Sequence, residues 1–212
     1  MQVIVADRLS AELAHDVYLP DCLLNVHAGE SRLRVMAEKR TEDFPRIIEV
    51  VVEIPRGSRN KYEFDAEAGV FRLDRVLSSA VFYNFDYGYV VGTLSEDGDA
   101  TDSLLLIDEP TFPGCHVWAR PVGCLEMSDE KGPDFKILCV AVGDPHQAHV
   151  KRLSQVRPHR LVEIEHFFQT YKLLEDKTVD VVGWHDADRA REVLLADRET
   201  HARRQADPAE AS

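Results

Sequence analysis

The sequence predicts an α+β protein, with a core of antiparallel strands followed by two helices. Short runs rich in Val and Ile recur through the middle of the chain between Gly and Pro residues, a pattern typical of strands joined by turns. Apolar residues then recur at three- and four-residue steps and indicate a helix: Leu161, Ile164, Phe167, Phe168, Tyr171 and Leu174. A second helix, which Asp186 can cap, has the apolar face Ala187, Ala190, Val193 and Leu194.

The first strand is predicted at residues 47–54, where Val and Ile dominate. Two short apolar runs flank Gly69 and indicate a hairpin: residues 61–64 and 70–73. Further apolar or alternating runs complete a multi-stranded sheet or barrel: residues 104–107, 116–125 and 135–142. A last strand is predicted at 179–184, between the two helices.

Both ends of the chain differ in composition from its middle. Residues 1–45 mix charge and apolar character without a sustained period, so we predict an N-terminal extension that can be flexible. Met36 offers an alternative start, and the intact mass of protein from its native source would test it. A folded domain is predicted over 46–199. Residues 200–212 are small and polar, which predicts a disordered tail.

The 212 residues carry 25 Lys and Arg against 38 Asp and Glu, a formal net charge of −13. This surplus argues against nucleic-acid binding, because such affinity comes largely from Lys and Arg that release counterions. The longest apolar runs are far shorter than the roughly 20 residues of a membrane helix, and the N-terminus lacks the basic start of a secretory signal. We expect a cytoplasmic protein with no nucleic-acid or membrane partner. Its four cysteines form no CxxC pair and are expected to be reduced packing thiols.

Acidic residues concentrate between Asp86 and Asp134, where eleven Asp and Glu outnumber two Lys and Arg. The densest segment is 96–102, with the sequence Glu-Asp-Gly-Asp-Ala-Thr-Asp, and a turn there can direct several carboxylates to one point. Such a cluster either spreads into solvent or binds hard cations such as Mg²⁺. Taken alone, a solvated loop is the better interpretation, and an EF-hand fails because Asp102 falls where that loop needs Gly.

Two features favour a cation site over a solvated loop. The strand predicted at 104–107 anchors the first acidic segment to the core, and a second acidic set precedes the next strand: Asp129, Glu130 and Asp134. Two acidic loops at strand ends predict a pocket for several metal ions, which usually serves phosphate chemistry. Phosphate also needs fixed cations, for which the candidates are Lys61, Arg75, Lys136 and Lys172, although each alone is more often a surface residue. Tyrosine hydroxyls in the aromatic run 82–89 can donate to phosphate while their rings pack.

Six blocks of this sequence, in order and in spacing, resemble the family I soluble inorganic pyrophosphatases of bacteria. The blocks are EIPRGSRNKYEFD at 53–65, DR at 74–75, FYNFDYGY at 82–89, DGDATD at 97–102, the acidic segment 129–136, and HFFQTYK at 166–172. The resemblance covers about residues 46–195. Asn84 and Ala100 stand where the family commonly has proline, and Ser103 stands where it commonly has a hydrophobic residue. Without that proline the turn at Ala100 is expected to be more mobile and to bind metal less tightly.

The resemblance implies a five-stranded, OB-like antiparallel β-barrel flanked by two C-terminal helices. It also implies hydrolysis of pyrophosphate to two orthophosphates by a metal-activated water, without a covalent intermediate. Several Mg²⁺ ions per subunit are implied, with Mn²⁺ or Zn²⁺ as substitutes, and so is a homo-oligomer, a hexamer in many bacterial members.

The same resemblance implies a role for each matching residue. The metal ligands would be Asp97, Asp102, Asp129, Asp134 and Glu53, with Asp102 bridging two ions. Asp99 would take the proton from the attacking water. The phosphate ligands would be Lys61, Arg75, Tyr87, Lys136, Tyr171 and Lys172. Glu63, Tyr83 and Glu130 match functional positions of less definite role.

Two alternatives stay open at this point. One is a metal-dependent hydrolase of nucleoside diphosphates or polyphosphates, and the other is a catalytically silent cation-binding or interaction protein on the same fold. Phosphate release from pyrophosphate, ATP and tripolyphosphate separates them, because a tight pyrophosphate pocket discriminates strongly.

Overall fold

A computed structural model of the chain describes residues 42–129, 132–175 and 179–206, with Asp129 described by its backbone alone. The described residues belong to one compact unit, Arg40–Ser212. Most of the predicted N-terminal extension, including Met36, lies outside them. At the end of the predicted extension, Phe44 packs against the core. The guanidinium carbon of Arg198 lies 4.2 Å from the centroid of the Phe44 ring.

The described residues form eight strands and two α-helices. In chain order they are β1 (Ile48–Ile54), β2 (Asn60–Asp65), β3 (Val70–Val76), β4 (Asp86–Val90), β5 (Asp102–Leu106), β6 (His116–Asp129), β7 (Gly132–Ala141), α1 (Pro158–Thr170), β8 (Asp180–Asp186) and α2 (Ala187–Ala206). Neither helix is both long enough and apolar enough to cross a lipid bilayer.

Five strands close into a ring in the order β1-β4-β5-β7-β6, because β1 pairs with both β4 and β6. This ring and the two C-terminal helices confirm the predicted fold. The exception to the predicted antiparallel pairing is β5 with β7, which run parallel from Ser103↔Ile137 to Leu106↔Val140. The β6–β7 hairpin accounts for this parallel pairing. β7 runs antiparallel to β6 and lies between β6 and β5, where its direction is the same as that of β5. β8 pairs with β6, and β2 and β3 form a separate hairpin.

The ring strands contribute to two apolar cores, because neighbouring side chains of a strand point to opposite faces. Leu104 and Leu138 belong to the core that includes α1, whereas Leu105 and Cys139 belong to the core that includes α2. Burial raises the pKa of the Cys124 thiol to about 12. The fully buried Cys124 and Cys139 are therefore packing thiols, as predicted. Cys22 lies outside the described residues.

Both helices bury the faces that the sequence predicts. In α1, Ile164, Phe167 and Phe168 are buried, but Leu174 is 70% exposed because the helix ends at Thr170. The buried residues of α2 are Ala187, Ala190, Val193 and Leu194. Asp186 caps this helix, with Oδ1 accepting hydrogen bonds from the backbone N–H groups of Asp188 at 3.0 Å and Arg189 at 3.3 Å.

Two boundary predictions were wrong. The second acidic loop is instead the end of a long hairpin, since β6 and β7 pair as far as Asp129↔Gly132. The disordered tail is wrong over residues 200–206, because α2 continues to Ala206. Thr200 Oγ1 donates to the carbonyl of Ala196 at 3.1 Å, and Arg203 lies 3.6 Å from Glu199 one turn earlier. Residues 207–212 lie outside the described part.

Candidate active site

The acidic turn, which we define as residues 95–100, is shaped by its own hydrogen bonds. Ser95 Oγ donates to Asp97 Oδ1 at 2.8 Å, and the N–H of Asp99 donates to the same oxygen at 3.1 Å. Across the turn, the N–H of Ser95 donates to the carbonyl of Asp99 at 2.8 Å. Gly98 has a φ of +93°, a conformation that glycine adopts without steric cost. The turn thus fixes Asp97 and Asp99 just before β5 begins at Asp102.

A cavity of about 870 Å³ brings most of the predicted site residues together. Its walls come from hairpin β2–β3, the acidic turn, strands β4 to β7, the residues that follow α1, and helix α2. The predicted residues that line it are Lys61, Glu63, Arg75, Tyr87, Asp97, Asp99, Asp102, Asp134, Lys136, Tyr171 and Lys172. Glu53 and Tyr83 are not among the lining residues, while the side chain of Asp129 and all of Glu130 lie outside the described part.

Lys136 lies between two of the predicted metal ligands. Its Nζ is 2.5 Å from Asp134 Oδ2 and also contacts Asp102 Oδ2, and its side chain is only 7% exposed. Burial on its own would lower the pKa of Lys136, but the two carboxylates outweigh it and raise the pKa above its usual value. Burial in turn raises the pKa of Asp134, an effect that Lys136 partly offsets. The lysine is therefore a fixed positive charge in the acidic half of the cavity.

Hairpin β2–β3 supplies the other cations. Its register pairs Lys61 with Arg75, so both side chains stand at one level of the hairpin. Asp74 lies between them, with Oδ2 at 2.5 Å from Arg75 Nη1 and 3.3 Å from Lys61 Nζ. Glu175 Oε1 is 3.3 Å from Arg75 Nε, and Lys61 Nζ also bonds Glu63. The guanidinium is thus held on two edges before any substrate arrives.

Tyrosines form the wall behind these charges. Tyr171 stacks on Phe167 with ring centroids 5.1 Å apart, and Lys172 Nζ lies 5.3 Å from the centroid of the Tyr171 ring. Burial raises the pKa of Tyr87, Tyr171 and Tyr83 above the usual value, so each hydroxyl keeps its proton at neutral pH and can donate. Tyr83 is 2% exposed and packs at 4.8 Å from Phe167, which makes it a support of the cavity wall.

Glu53 lies on β1, next to the cavity residues. Its Oε1 accepts a hydrogen bond from the N–H of Phe64 at 3.1 Å, which links β1 to hairpin β2–β3. Burial raises the pKa of Glu53 to about 7, and the negative charge of Asp102 acts in the same direction. A carboxylate in such a place is better stabilised by a cation than by its present surroundings.

Sequence reasoning missed several residues that face the cavity or hold its ligands. Helix α2 contributes Arg189, Glu192 and Asp197 to the lining, and Glu175 supports Arg75. Arg189 lies over Phe135, with its guanidinium carbon 5.0 Å from the ring centroid. No local motif indicates these roles, because each depends on a partner that is distant in the chain. Asp74 is the exception, because it stands beside Arg75 in one of the six segments that resemble the family.

The carboxylates of the cavity have the chemistry of a metal site. Among the side chains that the structure describes, no group of three or more acidic, His or Cys residues is gathered closely enough to hold an ion. The carboxylates of Asp97, Asp99, Asp102 and Asp134 nevertheless line one cavity, and an oxygen-only donor set is the kind that Mg²⁺ prefers. The residues fit a hard cation in their chemistry, while the predicted metal site stays a prediction.

The family model described as inorganic pyrophosphatase matches residues 50–202. This chain belongs to the inorganic pyrophosphatase family. The inorganic pyrophosphatase of Nostoc sp. is 52% identical over 150 residues, which are 71% of this chain and 89% of that protein. The inorganic pyrophosphatase of Methanosarcina mazei is 53% identical over 145 residues, 68% of this chain and 86% of that protein.

Solved structures of this family agree in fold. The crystal structure of inorganic pyrophosphatase from Thermus thermophilus superposes with a TM-score of 0.73 and 43% identity, and the match covers 75% of this chain and 93% of that one. All six sequence blocks lie inside the 50–202 match to the pyrophosphatase family. The resemblance found in the sequence is therefore confirmed.

Proposed function

We propose that this protein hydrolyses inorganic pyrophosphate to two orthophosphates with the help of several Mg²⁺ ions. One observation carries the proposal: in a member of the inorganic pyrophosphatase family, a single cavity joins the carboxylates of the acidic turn to the cations Lys61, Arg75 and Lys136. Pyrophosphate is a compact polyanion, so its binding needs positive charge on all sides. The lysines and arginine supply part of that charge, and cations held by the carboxylates would supply the rest.

The proposed metal ligands are Asp97, Asp102, Asp129 and Asp134, together with Glu53. When bound, Mg²⁺ would lower the pKa of a bound water toward neutrality and neutralise charge on the phosphates. Mn²⁺ and Zn²⁺, which accept the same ligands, are proposed substitutes. The donor chemistry of the cavity supports part of this assignment, because Asp97, Asp102 and Asp134 line it.

Asp99 is the proposed base. A carboxylate on the acidic turn can accept the proton of the attacking water as its oxygen bonds to phosphorus and the bridging P–O bond breaks. The second phosphate is the leaving group, and no covalent bond to the protein forms because the water oxygen is the nucleophile. The hydrogen bonds that shape the turn fix the Asp99 backbone, which supports a role that depends on placement.

The proposed phosphate ligands are Lys61, Arg75, Lys136, Lys172 and the hydroxyls of Tyr87 and Tyr171. Arg75 can bind two oxygens of one phosphate, whereas each lysine acts as a point charge. The two tyrosines are donors at neutral pH, since the ordinary pKa of a tyrosine is about 10 and burial raises the pKa of both further. Glu63 and Asp74 are proposed to orient the cations through the ion pairs already described, and Tyr83 to back the wall; Glu130 stays a prediction.

The deciding experiment measures phosphate release from pyrophosphate, ATP and tripolyphosphate with Mg²⁺, with EDTA as the metal-free control. We expect pyrophosphate to be strongly preferred and EDTA to abolish the reaction. Equal rates on ATP would favour the nucleotide or polyphosphate hydrolase. No release from pyrophosphate between neutral and alkaline pH would favour a silent cation-binding protein. Replacing Mg²⁺ by Mn²⁺ or Zn²⁺ in the same assay tests the substitutes.

A homo-oligomer, with a hexamer as the expected form, is also proposed from the resemblance. Light scattering at several protein concentrations tests it, and a monomeric mass throughout would overturn it. A cytoplasmic location belongs to the same proposal and is supported by the buried free thiols of Cys124 and Cys139.

A further inference from the structure

Asp197 on α2 is bonded to the two residues that flank the acidic turn, Leu94 and Thr101. At the first end, the N–H of Leu94 donates to the carbonyl oxygen of Asp197 at 3.0 Å. At the other end, Thr101 Oγ1 donates to Asp197 Oδ2 at 2.7 Å. One helical residue therefore connects the two points at which the turn leaves and rejoins the barrel.

Thr101 is fixed on every side. It is 1% exposed, its N–H donates to Thr93 Oγ1 at 3.1 Å, and its carbonyl accepts from the N–H of Val90 at 2.9 Å. Thr93 Oγ1 in turn donates to the carbonyl of Val90 at 2.8 Å. The Thr101 hydroxyl completes this network through Asp197. The next residue in the chain is Asp102, so the network determines where the backbone of Asp102 begins.

The surroundings of Asp197 disfavour a negatively charged carboxylate. Asp197 lines the same cavity as the acidic turn. Burial raises its pKa, and the charges of Glu96 and Asp97 raise it further, while the bond from Thr101 offsets part of the effect. A neutral residue would avoid this repulsion but would accept no hydrogen bond from Thr101 unless it were an amide or a hydroxyl.

We propose that Asp197 is a positioning residue of the site: through Thr101 it holds the acidic turn and Asp102 in the arrangement that binds metal ions. The inference rests on the proposed function of the cavity. Asp197 acts as a hydrogen-bond acceptor in this role and not as a charge or a metal ligand. Asparagine, whose side-chain oxygen accepts the same bond, should replace it.

The test compares Asp197→Ala, Asp197→Asn, Thr101→Val and the double variant Asp197→Ala/Thr101→Val. Glu199→Ala is the matched control, because Glu199 is an exposed acid on the same helix that is paired with Arg203. Two measurements are made on each: calorimetric titration of the substrate-free protein with Mg²⁺, and pyrophosphate hydrolysis as a function of Mg²⁺ concentration. Amide hydrogen exchange over residues 96–100 reports the order of the turn without metal.

We expect Asp197→Ala and Thr101→Val each to weaken Mg²⁺ binding about tenfold, the scale of one hydrogen bond to a charged group. The kcat at saturating Mg²⁺ should fall by less than about threefold, because the ligands themselves remain. The double variant should resemble either single one, since both remove the same bond. Asp197→Asn and Glu199→Ala should match the parent protein, and exchange over the turn should accelerate only in the variants that lose the bond.

Several outcomes would overturn the inference. Equal damage from Asp197→Asn and Asp197→Ala would show that charge matters and not hydrogen-bond acceptance. Additive losses in the double variant would show that Asp197 and Thr101 act independently. Unchanged Mg²⁺ binding in the single variants would show that their hydrogen bond does not position the metal ligands. A parent protein that does not hydrolyse pyrophosphate would refute the proposed function alone, because calorimetry and exchange would still report whether Asp197 orders the turn.

Discussion

Lys136, whose side chain is only 7% exposed, forms an ion pair of 2.5 Å with the partly exposed Asp134 in the acidic half of the cavity. Lys136 also bonds Asp102, so one ammonium group is shared by two proposed metal ligands. Removing one partner of a buried ion pair leaves an uncompensated charge, which costs far more than the pair contributes.

Lys136→Gln should therefore destabilise the metal-free protein by about 3 kcal/mol. Mg²⁺ should restore part of this loss, because a divalent cation can take over the two carboxylates. Urea unfolding in EDTA and in Mg²⁺ measures both effects. Lys151→Gln is the control, since Lys151 is exposed. Unchanged stability of Lys136→Gln in EDTA would contradict the prediction.

Asp99→Asn should leave the fold intact and lower kcat by about a hundredfold or more, the usual scale for a general base. The amide keeps the shape of the side chain but cannot accept a proton. Phosphate release at saturating Mg²⁺, together with the thermal midpoint, measures this. Glu109→Gln, which removes an exposed charge away from the cavity, should behave like the parent protein. Near-normal turnover of Asp99→Asn would refute the role.

Arg75→Lys should raise the KM for pyrophosphate about tenfold, because a lysine cannot bond Asp74, Glu175 and substrate through a planar fork. The kcat should change less than KM, since the charge is retained. Arg72→Lys on the same strand is the control: Arg72 pairs with Asp65 at 2.7 Å and is 63% exposed. An Arg75→Lys protein with the parental KM would show that Arg75 acts only as a charge.

Glu53 makes the metal-free protein sensitive to pH. Its pKa is about 7 in the folded protein against an ordinary value of 4.5, so folded protein holds this proton more tightly than unfolded chain. Stability is therefore lost as the pH rises from about 4.5 to 7. Glu53→Gln should be more stable than the parent protein by up to about 3 kcal/mol near pH ~8 and equal to it near pH ~4. Urea unfolding in EDTA at both pH values measures the difference. An advantage that is the same at both would contradict it.

Gly88→Ala should destabilise the barrel by about 3 kcal/mol or more. A Cβ at this position would lie 1.9 Å from the carbonyl oxygen of Val51 on the neighbouring strand, and both atoms belong to paired backbones that cannot move apart. Gly143→Ala is the matched control, because its added Cβ would meet nothing within 4 Å. Comparable midpoints of urea unfolding for the two variants would contradict the prediction.

The sequence was sufficient wherever the signal is local. The strand over 48–54 is a run of Val and Ile, and α2 carries both a capping Asp186 and an apolar face. The acidic turn brings Glu96, Asp97 and Asp99 together within four residues, so their closeness can be predicted without any fold, while the ions that they would hold stay a prediction. The sequence did not indicate β4, because its buried face carries Asp86, Gly88 and Val90 while Tyr87 and Tyr89 share the less buried face, the reverse of the usual apolar-in pattern.

What the sequence could not predict depends on pairs that are distant in the chain. Asp197 meets Thr101 only because α2 packs on the ring, and Glu175 meets Arg75 only because the chain returns to hairpin β2–β3 after α1. The parallel pairing of β5 with β7 likewise follows from the order in which strands assemble. Such contacts cannot be inferred from the spacing of residues within a single segment.

The ring of strands also sets the order in which the molecule can form. Its closing seam joins Ile48 to Ala119, so most of the barrel must be present before β1 finds its second neighbour. Contacts so far apart in the chain slow folding, and domains rich in them take milliseconds to seconds. The acidic turn is synthesised well before Asp197, which follows Thr101 by 96 positions in the chain. A nascent chain would thus carry the carboxylates of the turn for some time before Asp197 could hold the turn in place.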